Sequence, residues 1–357
     1  AMFSRRLPLA LAMLVAGFTV PLSGCRTLAP EVINSDRVNF SEVVSTSWQK
    51  QLLLNIVKLR YFDSPMFMDV SQIVSGYNIE TTISLGLNPY DANGTLSLGG
   101  SGKYIDRPTI SYTPLAGNKF YKQLMLPVQP SAILFLLDAG WPVDLILPLS
   151  VEAINGIRSG NRFGASASSG NPEYAELTGL LKRLLESHAI GMHLLRRNGG
   201  DATVLFFRSG GLNEAALADI SRVRELLRLN TDRQEFQVSY GAANAGGENI
   251  MLYTRSILAM LLELASRVDV PDADIAEGRA APVLKPDRAG RESLLHVHCS
   301  DTQPSQAHVA VPYRGRWYWI DDRDLISKRT FAFLMVLFSL AETEGPVNLP
   351  VLTIPAG

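Results

Sequence analysis

Two different spacings of apolar residues organise the N-terminal third of the chain. From Ser41 to Arg60 the apolar residues recur at helical spacing, which predicts an amphipathic helix with one face for a core or a partner. From Val70 to Thr113 the apolar residues instead recur at every second position, which predicts strands. The helical stripe consists of Val44, Trp48, Leu52, Ile56 and Leu59.

The alternating segment predicts a long antiparallel hairpin. Asn93-Gly94 supplies a strong turn signal near its middle, and Gly99, Gly100 and Gly102 suggest bulges in the second arm. One interpretation is a sheet with one face on a core. The other is a pair of membrane strands, because each arm exceeds the roughly 9 to 11 residues that a tilted membrane strand needs. A lone hairpin cannot close its edges in lipid, so the second interpretation requires several subunits that each contribute strands.

The rest of the chain mixes helical and strand patterns. The Gly-, Ser- and Ala-rich stretch 158–170 predicts a flexible loop, and residues 269–292 predict a second exposed loop. Helices are predicted at 118–126, 130–139, 171–188, 213–229 and 249–267, and strands at 191–197, 203–208 and 235–240.

The C-terminal block predicts three strands, with a turn at Arg314-Gly315, followed by a helix and a last strand in "LPVLTIP". Phe331 to Leu340 is apolar nearly all round but only ten residues long, so we expect a core helix and not a membrane span. The predicted fold class is α+β: an N-terminal amphipathic helix and a long antiparallel β-hairpin (25–157), followed by a mixed α/β region (171–357).

The first residues are typical of an export signal. Arg5 and Arg6 precede the uncharged run 9–20, which is too short to span a bilayer. The sequence Leu22-Ser23-Gly24-Cys25 resembles the lipobox of bacterial lipoproteins, which implies removal of residues 1–24 and acylation of Cys25 with fatty chains such as palmitate. The alternative is an ordinary secretory signal with a chance cysteine. Arg26 stands where aspartate would favour inner-membrane retention, so we expect an outer-membrane lipoprotein on the periplasmic face.

Charge and cysteine content exclude some classes of function. The 33 basic residues nearly balance the 34 acidic ones, so no electrostatic footprint for nucleic acid is present. If Cys25 is acylated, Cys299 is the remaining cysteine and no intramolecular disulfide can form.

Candidate chemistry is concentrated in the C-terminal block. His296 and His298 share one face of a predicted strand, and His308 follows on the next, so the three together could bind zinc. The spacing is also that of ordinary structural histidines, and our main expectation is that no cofactor is bound. Asp321, Asp322 and Asp324 precede a helix, where carboxylates cap free amide groups.

Two tryptophans suggest a binding surface in the same block. Trp317 and Trp319 share one strand face, with Arg314 and Arg316 beside them, and could stack on a sugar or a peptidoglycan fragment. The alternative is that these aromatic residues fill a core.

Three segments, "LLLNIVKLRYFDSPMFMDVSQIVSGY", "DRPTISYTPLAGNKF" and "YRGRWYWIDDRDLISKRTFAFLMVLFSLAE", are together similar to a family of proteobacterial lipoproteins without a known activity. The resemblance implies one shared architecture and brings no site residues. We therefore expect a structural or accessory subunit of an envelope assembly, not an enzyme, with membrane lipid and either further copies or another envelope protein as partners. The alternative is a periplasmic ligand-binding protein or metal-dependent hydrolase that uses the C-terminal His/Trp block.

Overall fold

The computed structural model describes residues 28–74, 77–87, 96–106, 109–115, 118–160, 170–197, 200–208, 210–242, 246–281 and 294–341. Helices and mixed sheets alternate along these ranges, which confirms the predicted α+β class. The leader 1–24, Cys25 and the expected last strand in "LPVLTIP" lie outside the described residues.

The chain divides into two compact units, residues 1–50 and 51–357. In the first unit the described residues 28–50 belong to helix α1, Leu28–Arg60, which begins earlier than the periodicity predicts. In the second unit the last part of α1 buries Leu52, Ile56 and Leu59 of the predicted stripe. The helix ends where Phe62 adopts a left-handed conformation and the Asp63 amide donates to Lys58 O at 2.9 Å.

The predicted hairpin is present and is longer than expected. Strands β1 (Phe67–Val74) and β4 (Thr109–Leu115) pair antiparallel, as do β2 (Tyr77–Leu87) and β3 (Leu96–Asp106). The described pairs from Gln72 opposite Ser111 to Leu87 opposite Leu96 share one register, and the predicted turn at Asn93-Gly94 lies outside the described residues.

The bulge expected at the glycines lies elsewhere in the described hairpin. The register shifts between Val70 and Gln72, whereas Gly99, Gly100 and Gly102 pair regularly. Gly99 faces Ser84, whose hydroxyl donates to Gly99 O at 3.2 Å, and a Cβ on Gly99 would lie 2.8 Å from that hydroxyl. The glycine therefore makes room for a cross-strand contact and does not mark an irregularity.

Side chains of α1 hold the base of the hairpin. The Asn55 amide donates to Met66 O and accepts from the Met66 N–H, each at 2.8 Å, and Gln51 accepts from the Met68 N–H at 2.7 Å. The Phe67 side chain is fully buried, with its ring centroid 5.1 Å from that of Phe338. The first strand thus begins with its backbone bonded to side chains of helix α1 as well as paired with β4.

A six-stranded sheet and several helices follow. The helices are α2 (Asn118–Met125), α3 (Pro130–Asp138), α4 (Val143–Ser150), α5 (Pro172–Glu186), α6 (Glu214–Leu227) and α7 (Ile257–Ala265). The strands are β5 (Val151–Ile154), β6 (Ile157–Arg158), β7 (Ile190–Arg197), β8 (Gly200–Phe207), β9 (Glu235–Tyr240) and β10 (Asn249–Thr254), in the order β6-β5-β10-β9-β8-β7.

The helix predicted over 249–267 is wrong in its first part. Asn249–Thr254 forms β10, which pairs parallel with β9, and its residues alternate between buried and half-buried. Helix α7 begins after Ser256, whose side chain accepts from the Ala259 amide. The apolar run "NIMLYT" fits either state, and packing against β9 and β5 makes it a strand.

The C-terminal block forms a separate three-stranded antiparallel sheet. Its strands are β11 (His298–Ser300), β12 (Ala307–Tyr313) and β13 (Arg316–Asp321), in the order β11-β13-β12. The short helix α8 (Asp272–Ala276) precedes it and helix α9 (Leu325–Ala341) follows. Helix α9 buries Phe331, Phe333, Leu334, Leu337 and Phe338, as expected for a core helix.

Among the described residues no helix is both long enough and apolar enough to span a bilayer.

Candidate functional site

The segment before β11 is fixed between two elements. The His296 amide donates to Ser327 Oγ at 2.8 Å, and Thr330 Oγ1 donates to Leu294 O at 2.5 Å, so helix α9 holds one side of the segment. His298 pairs with Trp319 of β13 on the other side. Leu295 and Val297 are fully buried, so the alternation of the strand leaves His296 and His298 on the outer face, as the sequence predicts.

Asp269 is brought to the same face from a distant part of the chain. Val268 forms a parallel bridge with Val297, and the Asp269 amide donates to Val297 O at 2.9 Å. This pairing brings the Asp269 carboxylate close to both imidazoles. His296 Nε2 lies 3.0 Å and His298 Nδ1 lies 3.8 Å from Asp269 Oδ2.

Asp269, His296 and His298 form what we call the His-Asp cluster. Their three nearest ligand atoms lie within 4.8 Å of one another. The His298 ring stacks on the Trp319 indole, with centroids 4.6 Å apart, and the two imidazole centroids are 4.1 Å apart. Burial and the neighbouring His296 lower the pKa of His298, which favours the neutral imidazole that a metal requires.

His308, the third histidine of the predicted zinc set, lies outside this cluster. Its Nδ1 atom is 3.8 Å from Asp322 Oδ1, and its ring contacts Phe331. His308 stands at the register shift between Ala307 and Val309 on β12, at the far edge of the sheet from β11. Burial and the nearby Lys328 lower the pKa of His308.

The two tryptophans do share the outer face of β13. Trp317 and Trp319 are half-buried there, whereas Tyr318 and Ile320 are buried on the inner face. Trp319 Nε1 is buried without a hydrogen-bond partner among the described residues, which costs about 1–3 kcal/mol unless water or a ligand accepts from it. The surface therefore has the half-exposed aromatic character expected from the sequence.

The two arginines of the predicted binding surface are used in ion pairs. Arg314 Nη2 lies 3.0 Å from Asp63 Oδ2, and its guanidinium stacks over the ring of Tyr61 at 4.7 Å. Arg316 Nη1 lies 2.5 Å from Asp301 Oδ1. Neither side chain is thus a free cation beside the tryptophans.

The three aspartates after β13 have local partners. Asp324 accepts hydrogen bonds from the amide and the hydroxyl of Ser327, and the Asp324 side chain thereby caps the N-terminus of helix α9. Arg323 lowers the pKa of Asp321 to about 2, and Lys328 pairs with Asp322 at 2.6 Å.

A hydrogen-bond network lies beneath the sheet. Tyr61 OH donates to Asp274 Oδ2 at 2.6 Å and lies 2.7 Å from Tyr318 OH. Cys299 pairs with Tyr318, and burial raises the pKa of its thiol. These properties fit a structural cysteine better than a nucleophile.

A cavity of about 410 Å³ opens beside the start of helix α9 in the C-terminal block. Buried Arg255 lies on its wall and donates to Pro148 O, Leu149 O, Ser159 Oγ and Gly160 O. No local pattern predicts this cavity, because its lining comes from residues spread between 144 and 330. The charged lining residues are Lys182, Arg255, Arg267 and Arg329 against Asp144 and Glu263.

Comparison of the chain with protein-family models, with curated proteins and with solved structures gives no match.

Proposed function

We propose that the chain is a lipid-anchored outer-membrane lipoprotein that serves as a structural subunit of an envelope assembly. In this proposal, hairpins of neighbouring copies associate along their open strand edges. The observation that carries the proposal is that β2 and β3 pair only with each other among the described residues.

An isolated two-stranded ribbon is a weak structure in water. Such a ribbon needs a third strand or a packed face to be stable on its own, and its unpaired backbone groups invite another strand. Strands β2 and β3 each contain 11 residues, which corresponds to about 36 Å at 3.3 Å per residue. A second copy of the same hairpin would satisfy the unpaired groups along this length.

The two faces of this ribbon differ in composition. On one face Glu80 stands opposite Lys103 and Thr82 opposite Ser101, and these four residues are exposed. By register the other face carries mainly apolar positions: Ile79, Ile83, Leu85, Leu87, Leu96, Leu98 and Tyr104. An assembly would cover the apolar face and leave the polar face in water, and acylation of Cys25 would concentrate the copies on a membrane surface.

The native mass of the acylated protein, extracted from membranes in mild detergent, tests the proposal. We expect a discrete oligomer. We further expect Ile83→Lys with Leu85→Lys to shift the protein toward monomer, because the charges would be buried in the assembly.

Thr82→Lys with Ser84→Lys is the matched control, since it adds the same charges at neighbouring positions on the exposed face. This control should keep the mass of the oligomer. A monomer for the unmodified protein at all protein concentrations, or equal loss of the oligomer in both double variants, would overturn the proposal.

A second candidate is a periplasmic ligand-binding protein or metal-dependent hydrolase that uses the C-terminal sheet. The observation that favours it is the approach of Asp269 to His296 and His298.

A further inference from the structure

We infer that Asp269, His296 and His298 bind a divalent transition metal, with Zn²⁺ the ion that best suits the donors. Two imidazoles and one carboxylate form a donor set found in zinc sites that keep an open coordination position. This inference is independent of the envelope assembly proposed above.

The spacing of the donors fits one ion. Two ligands bound to zinc at about 2.1 Å in a tetrahedral arrangement are separated by about 3.4 Å. The distances from Asp269 Oδ2 to His296 Nε2 and to His298 Nδ1, 3.0 and 3.8 Å, lie on either side of that value. All three donor atoms lie within 4.8 Å of one another, so the set is close to the spacing that one ion needs.

The backbone already holds the three residues in place. Asp269 is fixed by the Val268–Val297 bridge, His298 by its pairing with Trp319, and His296 by the bond from its amide to Ser327. The Trp319 indole packs on the His298 ring and limits its rotation. A preorganised set of this kind loses little conformational entropy on binding.

An ion pair alone is a poor explanation for the cluster. The side chains of Asp269 and His296 are 48% and 46% exposed, and exposed ion pairs contribute about 0–1 kcal/mol. Two imidazoles lie at one carboxylate, with ring centroids 4.1 Å apart, which is one ring more than a single ion pair uses, whereas a metal ion would use both.

An ion bound by this cluster could bind a further group. Three protein ligands leave a coordination position for water or for an acidic group of a ligand. The half-exposed rings of Trp317 and Trp319 lie on the same sheet face, where they could contact the rest of such a ligand.

The test is metal titration of the purified chain after treatment with a chelator. We expect one Zn²⁺ per chain by calorimetry, and for Co²⁺ the visible absorption of a tetrahedral nitrogen and oxygen site. Asp269→Asn and His298→Gln should each weaken Zn²⁺ binding at least tenfold, because each removes a ligand.

His308→Gln is the matched control, because His308 lies on the same sheet beside a different aspartate. This variant should bind Zn²⁺ like the unmodified chain, and circular dichroism should show that all variants keep the fold. Absence of stoichiometric binding at micromolar Zn²⁺ would overturn the inference. So would equal weakening in the His308 variant.

Discussion

Among single residues, Tyr61 connects the end of α1 with the C-terminal sheet. Its hydroxyl donates to Asp274 and meets Tyr318, 257 residues further along the chain. Burial and the Asp274 carboxylate raise the pKa of Tyr61 to about 12. Tyr61 therefore has both a structural role and a pH-dependent one.

We predict that Tyr61→Phe lowers the free energy of unfolding by about 1–3 kcal/mol at pH 7, because the buried partners lose a hydrogen bond. The raised pKa of Tyr61 means that its contribution is complete below about pH 10 and is lost as the pH rises toward 12, since only the unfolded state ionises in that window. Urea unfolding between pH 7 and 11.5 should show a smaller alkaline loss in the variant. Tyr112→Phe, at an exposed position, should change neither quantity.

The pair His296 and His298 could be predicted from the sequence because a strand places alternate residues on one face. The third residue of the cluster could not, because Asp269 lies 27 residues from His296 and no local pattern points to it. The bridge between Val268 and Val297 is a tertiary contact, and it decides which carboxylate joins the two histidines.

Among the elements, the β12–β13 hairpin depends on its turn. Arg314 and Gly315 both have positive φ angles, 50° and 77°, as a two-residue type I′ turn requires. The sequence predicts this turn because the two residues separate two alternating segments.

We predict that Gly315→Ala destabilises the protein by about 1 kcal/mol. The cost arises from the backbone alone, because a Cβ at Gly315 meets no atom within 4 Å. Gly179→Ala is the comparison, since Gly179 lies inside helix α5 with space for a Cβ, and we expect it to stabilise by about 0.5–1 kcal/mol. Thermal unfolding can compare the two variants. A change of the melting temperature in the same direction for both would contradict this prediction.

Sequence patterns located most elements because their periods are local. The hairpin, α3, α5 and β9 all lie within a few residues of the predicted positions. Strand β10 could not be predicted, because the pattern of apolar and polar residues over 249–254 is compatible with a helix as well as a strand. Pairing with the neighbouring strands decides between the two.

At the scale of the whole molecule, the proposed attachment to a membrane would depend on Cys25. We predict that Cys25→Ser abolishes incorporation of a palmitate analogue and releases the protein from the membrane fraction, because the acyl chains supply the anchor. Cys299→Ser, at a half-buried position beside Tyr318, should leave both labelling and fractionation unchanged. Absence of label in the unmodified protein would indicate an ordinary export signal, and label that persists in the Cys25 variant would place acylation at another residue.

The contacts described between the hairpin and helices α1 and α9 lie at the base of the hairpin. Asn55, Gln51 and Phe338 hold the first residues of β1, whereas the described pairs from Gln72 opposite Ser111 onward share one register. Adding or removing facing residue pairs in the arms would therefore alter the reach of the hairpin and leave its attachment intact. Evolution could adjust the reach of this hairpin to its surroundings without redesigning the body that carries it.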